Sequence, residues 1–222
     1  VSRPRLFGKS MAANMLSAYY SQGCDSSSLF TGLEIEHNGT YKKHLNQHNV
    51  IRLDIQRFLF QESHLDIFIN KIQEAVTKEL RAEYGNCFEE DLYGLPGVLE
   101  QIYAHTGKGF IFIIDEWDCV FRLAKDHQEI QKKYLDFLRG LFKGQEYVDL
   151  AYMTGILPIK KYGEHSAINI FDEFSMIDPA GLAEFFGFTE KEVLELCRQK
   201  QIDFGELQKW YDGYLLNGLH IY

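Results

Sequence analysis

The triplet Gly8, Lys9 and Ser10 is the first group of residues in the chain whose types and spacing could do chemistry. If a helix begins here, its free backbone N–H groups, the Lys9 ammonium and the Ser10 hydroxyl share a helix N-terminus, where an anion is favoured. In a phosphate-binding loop of this type, the lysine reaches the β- and γ-phosphates and the hydroxyl binds Mg²⁺. The triplet therefore indicates a nucleotide loop, although it is also typical of an ordinary turn that enters a helix.

A second group of candidate residues follows the apolar run at 110–114, which ends in Asp115 and Glu116. This pattern is typical of a buried parallel strand whose C-terminal tip carries acidic groups into a ligand crevice. We expect Asp115 to hold Mg²⁺ through water and Glu116 to orient or deprotonate an attacking water. Together, the acidic tip and the Gly-Lys-Ser triplet favour a nucleotide site over a plain turn.

The segment RPRLFGKS at 3–10 departs from the pattern G-x-x-x-x-G-K-[ST], because Arg3 stands where the first glycine belongs. Glycine allows a positive φ and a close approach of the backbone to phosphate, whereas Arg3 and Pro4 are bulkier and stiffer. The positive charges of Arg3 and Arg5 could compensate for this difference. The start of this loop is therefore bulkier and stiffer than that of a loop with the glycine.

The elements that position these residues follow from hydrophobic periodicity. We predict helices over 10–20, 65–84, 95–105 and 128–142, and strands over 50–55, 110–116 and 147–153. Alternation of strands and helices indicates an α/β fold with a mainly parallel sheet. Thr154, at the tip of the last strand, either senses the γ-phosphate or closes the strand end with its hydroxyl. Asp54 is either a second acid near Mg²⁺ or a capping or surface acid, and we favour the latter.

The last part of the chain is predicted to be a small helical appendage at 181–222, following a core at 1–180. Thr189 and Glu192 form a capping-box pattern at the start of one helix, and a second helix is predicted over 204–211. The aromatic motif WYDGY at 210–214 either stacks on a base or packs the appendage onto the core, and we favour packing.

Five motifs carry a resemblance to a known family: RPRLFGKS at 3–10, IIDEWD at 113–118, MTGILPI at 153–159, FGFTE at 186–190 and WYDGY at 210–214. In this order they resemble the bacterial AAA-ATPase-like family, and the resemblance runs nearly end to end. It implies a P-loop NTPase with a three-layer sandwich, binding ATP and Mg²⁺. Family members often carry a PD-(D/E)XK nuclease-like domain, of which no sign is visible here. The acids Asp172, Glu173 and Asp178 lack a suitably placed lysine, so we predict that they are loop acids.

The family often has an arginine in the place of Pro158. The role of stabilising the charge on the transferred phosphate therefore stays open to Arg5, to a lysine, or to a residue from another subunit. Lys160 and Lys161 could contact phosphate, but adjacent lysines are more often a solvated basic patch.

These residues make up the predicted site. The candidate nucleotide-binding residues are Arg3, Arg5, Phe7, Gly8, Lys9, Ser10 and Met11; the candidate Mg²⁺ ligands are Ser10 and Asp115; and the candidate catalytic residues are Glu116 and Thr154. The predicted function is a Mg²⁺-dependent ATPase that couples hydrolysis to a conformational change. The alternatives are a scaffold that binds nucleotide without turnover, and a regulatory module of a nuclease or defence system.

Composition limits the class of protein. A formal net charge of −9 over 222 residues argues against a surface devoted to nucleic acid, although a local basic patch is compatible with it. The four cysteines are widely separated, and the eight histidines show no metal-ligand spacing, so we predict reduced cysteines and no zinc site. No run of about 18 apolar residues and no signal segment is present, so a cytoplasmic protein without a membrane span is expected.

The two ends of the chain suggest a piece of a longer protein. The first residue is Val1 rather than methionine, and a phosphate loop normally follows a strand that is almost wholly missing here. We therefore expect Val1 and Ser2 to be the last residues of that strand. The chain stops at 219–222 in an apolar stretch without a stop signal, so further chain is also expected downstream.

Overall fold

A parallel three-stranded sheet forms the centre of the computed structural model, which describes residues 1–61, 67–85, 87–88, 94–159, 170–211 and 213–222. The strands are β1 (Asn49–Asp54), β2 (Phe110–Asp115) and β3 (Val148–Met153), in the order β1-β2-β3. Both pairings are parallel, and Asp54 lies opposite Asp115 in the register. The α/β class and the three predicted strands are therefore confirmed.

The helices of the described residues connect and cover these strands. They are α1 (Lys9–Tyr20), α2 (Tyr41–His44), α3 (Ile55–Gln61), α4 (Phe68–Tyr84), α5 (Gly94–Thr106), α6 (Cys119–Leu123), α7 (Gln128–Phe142), α8 (Glu190–Lys200) and α9 (Phe204–Trp210). The long amphipathic helices agree with the predictions, whereas the short helices α2, α3 and α6 were not predicted. None of the helices in these ranges is long and apolar enough to cross a membrane.

The sheet packs against helices on both of its faces. On one face, Ala13 and Leu16 of α1 contact Ile111 and Ile113 of β2. On the other face, alternate residues of β2 join a larger core with residues of α4, α5 and α7, including Phe112, Ile114, Phe68, Ile72, Leu99, Ile102, Tyr134 and Leu138. All six residues of β2 are buried. This burial explains the continuous apolar sequence, because a strand covered on both faces has no solvent-facing side that would need polar residues.

The first three residues extend the sheet beyond the end of β3. The backbone N–H of Gly155 donates to the Val1 carbonyl at 3.2 Å, and the Arg3 N–H donates to the Gly155 carbonyl at 3.2 Å. On its other side, the Ser2 N–H donates to the Phe174 carbonyl at 2.9 Å. The segment that leads into the Gly-Lys-Ser triplet therefore leaves the sheet beside the tip of β3.

The C-terminal part contains a β-hairpin as well as helices, so the prediction of a small helical appendage is incomplete. Strands β4 (Tyr214–Leu216) and β5 (Leu219–Ile221) pair in antiparallel fashion. The turn between them is Asn217-Gly218, with φ of 50° and 83°. An Asn-Gly pair with two positive φ values is a strong hairpin signal, and the sequence analysis overlooked it. The capping box of Thr189 and Glu192 at the start of α8 is confirmed.

Candidate functional site

The loop at 3–10 ends in a glycine that begins α1. Gly8 is the N-cap residue and has a left-handed backbone, with φ of 76°. No side chain caps this end of α1, and its first turn contains no acidic residue. Leu6 also has a positive φ, of 70°, although it is not a glycine. Two residues of the loop, Leu6 and Gly8, therefore have left-handed backbone conformations. The loop ends at an uncapped helix N-terminus, where an anion from outside the chain is favoured.

Lys9 is the buried cation of this loop, with only 5% of its surface exposed. Its Nζ donates to the Pro4 carbonyl at 2.8 Å, which leaves two of its N–H groups without an acceptor among the described residues. Burial lowers the pKa of Lys9 from its usual 10.5, and the carboxylates of Glu116 and Asp115 oppose this shift. A buried ammonium with unused donors is costly unless an anion completes its bonding.

The tip of β2 places two carboxylates near Lys9. Asp115 is buried, and its Oδ1 accepts a hydrogen bond from the backbone N–H of Glu116 at 3.0 Å. Glu116 itself has a φ of 53°, which is uncommon for a residue with a side chain and turns the strand sharply at this point. Asp54, the neighbouring acid in the register, is exposed and caps α3 by accepting from the Arg57 N–H at 3.2 Å. The predicted capping role of Asp54 is therefore the one observed.

Asp118 fastens the acidic tip to the loop that follows β3. The residue is fully buried, and its Oδ2 accepts from the backbone N–H groups of Ile156 at 3.1 Å and Leu157 at 2.9 Å. The same oxygen accepts from Nε of Arg122 at 3.1 Å. One carboxylate oxygen thus joins the segments after two neighbouring strands and fixes the position of an arginine.

Glu116 is engaged in an ion pair with that arginine. A terminal nitrogen of Arg122 donates to Oε2 of Glu116, and both side chains are largely buried. Burial raises the pKa of Glu116 from its usual value, whereas the Arg122 guanidinium lowers it. The predicted base is therefore held by a neighbour and not free in this structure.

Thr154 lies beside the acidic tip, fully buried. Its backbone N–H donates to the Ile114 carbonyl at 2.8 Å, and its carbonyl accepts from the Trp117 N–H at 3.2 Å. The Thr154 hydroxyl forms no regular hydrogen bond in the described part of the chain, and the same is true of the buried Tyr152 hydroxyl. The two hydroxyls are close enough for Thr154 to lower the pKa of Tyr152, which burial raises. A polar hydroxyl without a regular partner thus lies at the same edge as Lys9 and Asp115.

Two of the predicted nucleotide-binding residues are buried and contact the C-terminal part of the chain. Arg3 is 0% exposed, and its guanidinium donates to the carbonyls of Phe174 at 2.9 Å and Leu182 at 3.3 Å. Phe7 is buried in a cluster with Phe186 and other C-terminal residues and contacts the ring of Tyr214 edge-on at 5.3 Å. Neither side chain is available to a ligand here, because both bind the loop to the C-terminal part of the chain. This corrects the expectation that Arg3 compensates for the missing glycine with its charge.

The other loop residues are open to solvent. Arg5, Ser10 and Met11 are exposed, so their side chains can reach a ligand from outside. Lys160 and Lys161 lie outside the described residues. Trp210, predicted to pack, is 84% exposed, and Asp212 of the same motif also lies outside the described residues.

The comparison with protein families shows to which family the chain belongs. A family model described as predicted AAA-ATPase matches residues 1–163, which include the loop, the acidic tip and Thr154. The chain belongs to the AAA-ATPase-like family. Searches of curated proteins and of solved structures found no match. The roles of the site residues in this AAA-ATPase-like chain are therefore inferred from their own contacts and burial.

Sequence reasoning overlooked Asp118 and Arg122 in this AAA-ATPase-like chain. The signal that could have found them is an acid and an arginine at i and i+4, directly after the acidic tip. Such a pair is normally an exposed helix pair of small effect. Here the backbone of 156–157 buries the acid, and the pair becomes part of the site.

Gly155 provides a test of this packing. A Cβ at this position would lie 2.6 Å from Asp118 Oδ1 and 2.8 Å from the Trp117 ring, so Gly155→Ala must displace the segment after β2. We expect this variant to lower the free energy of unfolding by about 1–3 kcal/mol, as overpacked sites do. Urea denaturation would measure the loss, and Gly39→Ala is the matched control, because Gly39 lies outside the helices and strands and a Cβ there meets nothing within 4 Å. An unchanged midpoint for Gly155→Ala would contradict the described contact.

Proposed function

We propose that this chain is a P-loop ATPase that binds Mg²⁺ and ATP at the edge formed by Gly8, Lys9 and Ser10 and the tips of β2 and β3. The observation that carries the proposal is the buried Lys9 ammonium, which has two unused donors next to an uncapped helix N-terminus. A triphosphate would supply the missing acceptors. Helices on both faces of a parallel sheet, with the loop at the carboxyl edge, support the three-layer arrangement of a P-loop NTPase.

The residues present fit a magnesium ion. Mg²⁺ keeps several waters and takes one or two protein oxygens together with substrate phosphates. The exposed Ser10 hydroxyl and the Asp115 carboxylate are suitable oxygens, and the described residues contain no cluster of three or more His, Cys, Asp or Glu that would favour another metal. When bound, the ion would neutralise charge on the phosphate oxygens.

Hydrolysis would proceed by attack of a water oxygen on the γ-phosphorus, with cleavage of its bond to the β–γ bridging oxygen. Glu116 would accept the proton of the water, and the products are ADP and phosphate. Lys9 would bind the β- and γ-phosphates, and the Thr154 hydroxyl would donate to a γ-phosphate oxygen. Each of these groups lies at the same edge of the sheet.

The contacts of the loop offer a route from nucleotide to conformational change. Arg3 and Phe7 contact Phe174, Leu182 and Phe186, so a shift of the loop on nucleotide binding would move these contacts. We therefore propose that residues 181–222 form a separate small unit that responds to the nucleotide. A protein partner or a second copy of the chain would receive this response.

A second candidate function is a scaffold that binds nucleotide without turnover. The observation that favours it is the ion pair of Glu116 with Arg122, because a carboxylate held in this way does not act as a base. The two functions differ in whether phosphate is released from bound ATP.

The test of the proposed function is calorimetric titration of Mg·ATP into the parent chain and into Lys9→Ala. We expect the dissociation constant to rise by at least about 100-fold, because charge-assisted hydrogen bonds contribute about 1.5–3 kcal/mol each and a tenfold change corresponds to about 1.4 kcal/mol. Lys108→Ala is the control, because Lys108 is exposed at the opposite end of β2 and should leave binding unchanged. Equal binding by the parent and Lys9→Ala, or no binding by the parent, would contradict the proposal.

A further inference from the structure

Arg122 is a cationic side chain beside the acidic tip to which the proposed hydrolysis gives no role. It extends from α6, its Nε is fixed to Asp118 Oδ2 at 3.1 Å, and a terminal nitrogen donates to Glu116. The side chain is only 18% exposed. An arginine in this environment is held by two carboxylates, one of which is the proposed base.

Arg122 also lies close to the tip of β3. Its anchor, Asp118, accepts hydrogen bonds from the backbone N–H groups of Ile156 and Leu157, which follow Thr154 closely in the chain. Glu116 and Thr154 are the residues that act on the attacking water and on the γ-phosphate in the proposed function. A guanidinium that binds Glu116 and is anchored beside Thr154 therefore lies at the γ-phosphate end of the proposed site.

We propose that Arg122 is a sensor of the γ-phosphate that exchanges one partner for another. Without a triphosphate it holds Glu116 in the ion pair; with a triphosphate it binds the γ-phosphate and releases Glu116 to the attacking water. This inference rests on the proposed function. It assigns the charge-stabilising role to a residue of the same chain.

The physical basis of the exchange is competition between two anions for one guanidinium. A γ-phosphate carries more negative charge than a carboxylate and offers several acceptor oxygens, and arginine matches phosphate through its rigid fork of donors. Asp118 retains Nε throughout, so only the terminal nitrogens need to change partner.

Trp117 provides a direct readout of this exchange. It lies between Glu116 and Asp118 in the sequence and is 2% exposed, whereas the second of the two tryptophans, Trp210, is exposed and distant in sequence. In a Trp210→Phe background, Trp117 is therefore the single tryptophan, and its fluorescence reports on the segment that carries the ion pair. Titrations would use ADP and a non-hydrolysable ATP analogue, each with Mg²⁺.

The experiment is a double-mutant cycle in that background, with Glu116→Gln, Arg122→Ala and the double variant. We expect Glu116→Gln to tighten binding of the ATP analogue by about tenfold, or about 1.4 kcal/mol, because Arg122 no longer shares its charge with a carboxylate. Binding of ADP should stay within about twofold. In Arg122→Ala, we expect the preference for the ATP analogue over ADP to fall by about tenfold, and Glu116→Gln to have no further effect.

Two results would overturn the inference. One is an Arg122→Ala variant in which affinities for ADP and the ATP analogue change by the same factor. The other is an effect of Glu116→Gln that is equal with and without Arg122. Failure of the parent chain to bind either nucleotide would instead contradict the proposed function, so the two failures are distinguishable.

Arg122→Lys is the control for loss of folding, because Arg122→Ala leaves the buried Asp118 without its cation. A lysine keeps the charge near Asp118 but cannot hold that carboxylate and a phosphate at once with a fork of donors. We expect this variant to melt close to the parent and to lose part of its preference for the ATP analogue. A folded Arg122→Lys variant with the full preference of the parent would also overturn the inference.

Discussion

Glu116→Gln is expected to reduce the rate of ATP turnover by about 10²–10⁴-fold, the usual contribution of a general base. The reason is that an amide cannot accept the proton of the attacking water, whereas the phosphate contacts of Lys9 are unaffected. Phosphate release under single-turnover conditions would measure the chemical step, and calorimetry would show that Mg·ATP still binds. A bound but uncleaved nucleotide is the expected state of this variant.

The control for this prediction is Glu146→Gln, since Glu146 is exposed and remote in sequence from the acidic tip. It should turn over ATP at the rate of the parent. Equal turnover by Glu116→Gln and the parent would remove Glu116 from the reaction. No turnover by the parent, with intact binding, would favour the scaffold.

Asp118→Ala is expected to lower the free energy of unfolding by about 3–5 kcal/mol, as loss of one partner from a buried ion pair does. The variant leaves the N–H groups of Ile156 and Leu157 without their acceptor and leaves Arg122 without its anchor. Urea denaturation followed by circular dichroism would measure the change. Because the segments after β2 and β3 are joined through this one side chain, nucleotide binding should weaken as well.

Asp118→Asn and Asp126→Ala complete this experiment. Asparagine keeps an acceptor oxygen for the backbone N–H groups but removes the charge, so its effect should be intermediate. Asp126 is exposed, and its replacement should change stability by less than about 0.5 kcal/mol. A loss below about 1 kcal/mol for Asp118→Ala would contradict the prediction, because removal of one partner of a buried ion pair leaves the other charge and the backbone N–H groups uncompensated.

The sequence predicted the elements with strong periodicity and the residues at strand tips. Helix α7 was predicted with the observed bounds, because its apolar residues repeat at helical spacing without interruption. Thr154 and Asp115 were expected to lie together because carboxyl ends of parallel strands meet at one edge, and the Trp117 contact with the Thr154 carbonyl agrees with this.

The parts that the sequence did not predict depend on contacts between distant residues. Arg3 was assigned to phosphate because its positive charge could compensate for the missing first glycine of the loop. Its burial depends on carbonyls of Phe174 and Leu182, more than a hundred and fifty residues later, which no local pattern reveals. The ion pair of Arg122 with Glu116 was invisible for a similar reason, because the spacing alone does not show whether a pair is buried.

The packing of Phe7, a residue of the loop, against the C-terminal hairpin has a mechanical consequence. Phe7 precedes Gly8 directly and packs against Phe186, Leu216 and Ile221. If nucleotide binding changes the equilibrium constant for packing of these residues on Phe7, thermodynamic linkage requires that this packing changes the affinity for nucleotide by the same factor. A force on the hairpin would thus change the affinity for nucleotide, just as nucleotide binding would change the contacts of the hairpin.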